Sequence, residues 1–142
     1  MSISKGSAAW QGGFKDGKGT MKAEHAPEAN FSVGSRFEGQ QGSNPEELIG
    51  AALVGCFSMA LSVGLEGAGL KPTSIRTSAD VKLEKQGAGF AITGIALTCV
   101  AQVPGADAAK FQQIADETKK GCPVSKALAG TSITLQASLE GQ

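Results

Sequence analysis

The sequence has no surplus of either charge: 13 basic residues stand against 13 acidic ones, the formal net charge is zero, and neither sign forms a block. Nucleic acid and anionic membranes, which recruit basic surfaces, are therefore not expected as partners. The opening MSISKGSAAWQGG has no basic start followed by an apolar run. No secretory signal is expected, and the natural setting is a reducing cytoplasm. Histidine occurs once, as His25, and cysteine three times, as Cys56, Cys99 and Cys122. An odd, scattered set makes neither a disulfide framework nor a paired zinc site, so any chemistry these residues carry is thiol chemistry. No internal repeat divides the 142 residues, and one domain spanning 1–142 is expected.

What the chain does have is a long stretch without charge. NPEELIGAALVGCFSMALSVGLE, from Asn44 to Glu66, opens with a cap at Asn44, Pro45 at the first helical position, and Glu46 and Glu47 at the positive end of the helix dipole. Between Leu48 and Leu65 no charged residue follows. The length approaches the ~20 apolar residues that cross a bilayer. Gly50, Gly55, Ser58, Ser62 and Gly64 dilute its hydrophobicity, however, and acidic residues flank it. A helix that is apolar all round is expected to be buried in protein.

Around this helix the patterns read as strands. Ile3 to Trp10 and Gly19 to Glu24 suggest a hairpin across GGFKDGKG, His25–Asn30 a loop, and the alternating FSVGSRF from Phe31 to Phe37 a third strand. After the polar loop Glu38–Ser43 and the helix, Gly67, Gly69 and Pro72 impose a stop. Thr73–Lys85 and Phe90–Val103 alternate cleanly and should pair across QGAG. DAAKFQQIADETKKG predicts an amphipathic helix capped by Asp107, PVSKALAG a short second helix, and SITLQASLE a final strand. The expected order is β-β-β-α-β-β-α-α-β, an α+β fold.

Each cysteine admits two readings on these grounds. Cys56, inside a buried helix, is either a small hydrophobe or a nucleophile. Cys122 sits where the short helix needs an N-cap, and a thiol facing unpaired N–H groups ionises easily. Its other reading is an ordinary cysteine in an inter-helix turn. Cys99 shares an apolar strand face with Ile95 and Leu97 and reads as structural. A loop histidine such as His25 is most often only solvated.

The run RFEGQQGSNPEELIGAALVGCFSMAL from Arg36 to Leu61, with GFAITGIALT and GCPVSKAL, resembles the OsmC/Ohr family of thiol peroxidases, closest to its OsmC branch. The resemblance implies an intertwined homodimer with long central helices wrapped by antiparallel sheets. It implies reduction of organic hydroperoxides without metal, haem or flavin. By that resemblance Cys56 attacks the peroxide, Cys122 resolves the resulting sulfenic acid as a disulfide, and Arg36 and Glu47 support Cys56. An external dithiol, with lipoyl-bearing proteins as one source, then reduces the disulfide. The low thiol pKa expected of Cys122 would make it a good leaving group in that reduction.

Helix geometry adds a constraint. Glu47 and Cys56, nine residues apart, would be separated by about 13 Å on one straight helix and lie on opposite faces. If both serve one site, Glu47, and Arg36 with it, must come from the partner chain. Phe37, Leu53, Phe57 and Met59 would then favour an alkyl or aryl hydroperoxide. An alternative from another class is a non-enzymatic dimer that holds a hydrophobic ligand in an apolar cleft.

Overall fold

The computed structural model describes residues 1–141 and divides into two compact units, Met1–Glu47 and the remainder from Leu48. In the first unit, β1 (Gly6–Gln11), β2 (Lys18–Ala23) and β3 (Ala29–Phe31) form an antiparallel sheet in the order β1-β2-β3. β1 and β2 pair from Gly6↔Ala23 to Gln11↔Lys18. The Trp10 and Phe31 rings lie 5.3 Å apart, and Gly19 is required beneath them: a Cβ there would come within 2.7 Å of both.

FSVGSRF does not form the expected third strand. β3 ends at Phe31, and α1 (Val33–Phe37) follows as a short helix. The reason is local capping. Ser35 N–H donates to Ser32 Oγ at 3.1 Å, and Ser32 N–H donates to Ser35 Oγ at 2.9 Å. This reciprocal box satisfies backbone donors that a strand would have to pair elsewhere. Ser35 Oγ also donates to the Ser43 carbonyl at 2.7 Å, which ties down the loop leading to the long helix.

α2 (Pro45–Gly67) is that helix, and Asn44 caps it by accepting the Glu47 N–H at 2.9 Å. Leu53, Phe57, Leu61 and Leu65 recur every four residues and are fully buried, the one-face spacing of a helix. They join a core with Ile95, Leu97, Cys99, Ala101 and Phe111. Leu48, Met59 and Val63, on another face, are exposed, Met59 to 74%. Among the described residues α2 alone is long and apolar enough to cross a membrane by length and composition, but its leucine face is covered by protein.

The second sheet has the order β4-β5-β6. β4 (Ser74–Gln86) and β5 (Gly89–Gln102) make the expected hairpin, with a register shift between Lys82 and Leu83. The expected antiparallel character fails at β6 (Ile133–Leu139), which runs parallel to β5 from Ile95↔Ile133 to Ala101↔Leu139. The physical cause is the connection: α3 (Ala108–Gly121) and α4 (Pro123–Ala127) carry the chain back before the strand begins, as a parallel crossover needs. α3 is capped by Asp107, whose Oδ2 accepts the Lys110 N–H at 3.0 Å, and it buries Phe111, Ile114, Ala115 and Thr118. Gly64 lets α2 approach it closely, since a Cβ there would lie 2.8 Å from the Ile114 side chain. The architecture is α+β with two small sheets, and it contains one helix, α1, more than the pattern predicts.

Candidate functional site

In the second unit α2 presents Cys56 from its middle, and the α3–α4 corner presents Cys122, which closes one helix and caps the next. Both are free thiols, Cys56 half-buried and Cys122 2% exposed. The two thiols are close enough that each shifts the other's ionisation. Cys122 Sγ accepts the Ser125 N–H at 3.4 Å and lies 3.0 Å from the Ser125 hydroxyl, a hydrogen bond that either group can donate.

This asymmetry sets the two acidities apart. Burial pushes the Cys56 thiol up, and the neighbouring Cys122 raises it further, against a lowering contribution from the Val124 N–H. Burial also opposes ionisation of Cys122, but the Ser125 hydroxyl and N–H, the Cys56 thiol and the Val124 N–H together outweigh it and hold Cys122 below the ordinary thiol value. Within this unit the Cys122 thiol is shifted down and the Cys56 thiol up. Cys99 is fully buried on β5, and burial raises its pKa despite a hydrogen bond from Thr77.

The first unit holds Arg36 and Glu47, the other residues expected at the site. Arg36, in α1, does not pair with Glu47 as expected. Its Nε donates to both carboxylate oxygens of Glu46, at 3.1 and 3.3 Å, and Nη2 donates to Oε1. Glu46 is buried and Glu47 exposed, and Glu47 instead accepts the Ser43 hydroxyl at 2.9 Å. The periodicity of α2 carries a signal for this. Glu46 lies seven residues before Leu53, on the buried file, whereas Glu47 leads the exposed file through Leu48 and Ala51. The Arg36 guanidinium also lies 5.3 Å from the centroid of the Phe37 ring. Trp10, Phe14, Phe31, Val33 and Phe37 line a cavity of about 180 Å³ beside it.

Of the apolar residues expected to meet substrate, Leu53 and Phe57 are committed to the core. His25 is exposed beside Glu24. Ser125, which lies in the GCPVSKAL motif but to which the sequence pattern assigns no role, is the side chain most directly engaged with the Cys122 sulfur.

Residues 38–138 match the family described as OsmC: OsmC-like protein. The chain is 52% identical over 138 residues to the "Peroxiredoxin OsmC" of Escherichia coli K12, a match covering 96% of each. It is 29% identical over 121 residues to an "Organic hydroperoxide resistance protein" of Xanthomonas axonopodis pv. citri, covering 83% of this chain and 82% of that one. In fold it is similar to the crystal structure of an OsmC-like protein from Mycoplasma pneumoniae, with a TM-score of 0.76 at 13% identity over 97% of each chain. A helix carrying one thiol, a helix corner carrying a second, and a near full-length match at this identity make the chain a member of the OsmC family.

Proposed function

We propose that this OsmC-family peroxidase reduces organic hydroperoxides through Cys56 and Cys122. The carrying observation is that α2 and the α3–α4 corner bring two free thiols close enough for each to shift the other's ionisation. A Cys56 thiolate attacks the distal oxygen of ROOH, the O–O bond breaks, and the alkoxide takes a proton and leaves as alcohol. Cys56 is then a sulfenic acid. Cys122 attacks its sulfur, water leaves, and a disulfide closes. An external dithiol restores both thiols, and the reaction runs in the cytoplasm without a bound cofactor.

Cys56 lacks an intrinsic reason to ionise: burial raises its pKa. It therefore needs a cation, and Arg36 is suited to supply it. A guanidinium stays charged and can hold a carboxylate and a sulfur together. Glu46 takes the orienting role expected of Glu47, because it is the carboxylate that grips Arg36. Glu46 and Cys56 are ten residues apart on α2, about 15 Å of rise, and do not meet on one helix. The site is thus composite: Arg36 and Glu46 of one chain serve Cys56 and Cys122 of its partner in a homodimer. The exposed apolar face at Leu48, Met59 and Val63 gives a second copy something to cover.

The test is steady-state hydroperoxide consumption by wild type, Cys56→Ser and Cys122→Ser, with a lipoyl dithiol and a monothiol as alternative reductants. Dithiol-driven turnover in wild type and its loss in Cys56→Ser are expected. A wild-type protein that binds hydroperoxide without consuming it would point to the non-enzymatic alternative.

A further inference from the structure

We propose that Ser125 is a positioning residue of the reductive half-reaction: by holding Cys122 Sγ with its hydroxyl and its N–H, it makes Cys122 the sulfur that departs and directs the incoming dithiol to Cys56. The inference rests on the disulfide chemistry proposed above and goes beyond it by assigning which sulfur is attacked and what decides this.

The geometry is one-sided. Ser125 is buried, its hydroxyl lies 3.0 Å from Cys122 Sγ, and its N–H reaches the same sulfur at 3.4 Å. Against a thiolate the hydroxyl can only donate, so both groups of one residue stabilise negative charge at that atom. What bears on Cys56 is the Val124 N–H, which acts on Cys122 as well, and the Cys122 thiol itself. In thiol–disulfide exchange the better-stabilised thiolate leaves faster, and attack falls on the other sulfur. Cys56 is also the more exposed of the two, half-buried where Cys122 is 2% exposed.

A thiolate of the dithiol forms a bond to Cys56 Sγ, and the electron pair of the Cys56–Cys122 bond goes to Cys122, which leaves as a thiolate onto the Ser125 donors. The second thiol of the reductant gives up its proton, closes the reductant's own disulfide and releases Cys56. The dithiol is oxidised by two electrons and the protein reduced by two, while the dithiol's protons go to the freed sulfurs or to solvent.

The experiment compares wild type, Ser125→Ala and Ser125→Thr as full-length protein. The disulfide is formed with diamide, so its reduction by dihydrolipoamide is read independently of any peroxide chemistry, and consumption of the first equivalent of cumene hydroperoxide is timed separately. Ser125→Ala should slow disulfide reduction about tenfold relative to hydroperoxide consumption, and Ser125→Thr, which keeps the hydroxyl, should recover most of it. Glutathione with a fast alkylating trap should leave the mixed disulfide on Cys56 and the alkyl group on Cys122. An unchanged reduction rate in Ser125→Ala, an equal fall in both rates, or glutathione on Cys122 overturns the proposal. A wild-type protein whose diamide-formed disulfide is reduced normally but which consumes no hydroperoxide instead refutes the peroxidase reading.

Discussion

Replacing Glu46 by Gln separates the carboxylate that grips Arg36 from the one beside it. The Arg36 and Glu46 side chains are 35% and 8% exposed. Removing one partner of a fully buried pair costs about 3–5 kcal/mol, whereas exposed pairs contribute about 0–1 kcal/mol. Water reaches a third of the arginine and replaces part of what is lost, so the expected destabilisation is about 2 kcal/mol. Glu47 is exposed and holds one hydrogen bond, from Ser43, so Glu47→Gln should cost about 0.5 kcal/mol, in the range of a first-turn carboxylate. The functional consequence is steeper. A charge-assisted hydrogen bond contributes about 1.5–3 kcal/mol; if that is what aims Arg36, kcat/KM for hydroperoxide falls about 10- to 100-fold in Glu46→Gln and less than about threefold in Glu47→Gln. Denaturant midpoints and initial rates with a dithiol reductant measure both, and the Arg36→Lys, Glu46→Gln double mutant should be less than additive. Greater damage from Glu47→Gln than from Glu46→Gln in either assay would refute the assignment.

The remaining predictions concern the thiols and the exposed helix face. Cys122→Ser should accumulate sulfenic acid at Cys56 when treated with hydroperoxide and a dimedone-type trap; accumulation at Cys122 in Cys56→Ser instead would exchange the two roles. Met59→Glu places a charge on an exposed apolar face and should give a folded monomer by light scattering, with peroxidase activity near background. In that monomer the raised pKa of Cys56 should move the pH profile of its oxidation upward relative to the dimer, because only thiolate reacts. The stability linkage has opposite signs for the two thiols. Cys122, depressed, contributes stability that is present above the free-thiol pKa and lost as pH falls through its folded value; Cys56, raised, contributes stability that is present below the free-thiol pKa and lost as pH rises through its folded value. Ultraviolet thiolate absorbance of Cys56→Ser and Cys122→Ser in the Met59→Glu background should therefore show Cys122 ionising first.

Patterns of period and capping are legible wherever one face of an element packs on a core. The β4–β5 hairpin and α3 follow their expected bounds to within a few residues, because Val81, Leu97 and Phe111 each mark a buried face at the right spacing. FSVGSRF departs from its pattern because two serines three residues apart can close a capping box, and alternation over seven residues carries no information about side-chain hydrogen bonds. The parallel course of β6 is also out of reach: strand direction depends on where α3 and α4 return the chain, not on the residues of the strand. At the site, the thiols are legible as residue types in characteristic surroundings. The choice between Glu46 and Glu47 is harder, since both suit the first turn of a helix, and they separate only once the buried face of α2 is fixed through Leu53 and Phe57.

The two thiols present opposite chemical problems, and the fold treats them differently. Cys122 obtains its acidity from neighbours within its own corner, Ser125 and Val124, so it is prepared as a leaving group in a single chain. Burial and the thiol beside it push the Cys56 pKa up, and the Val124 N–H does not offset that. In the proposed mechanism such a thiol needs a cation before it can attack. In the proposed dimer the cation comes on the grip of Glu46 from another copy of the same helix, which couples peroxide reactivity to assembly. The charge-free body of α2 then presents, in the single chain, the exposed apolar face that the proposed dimer would cover.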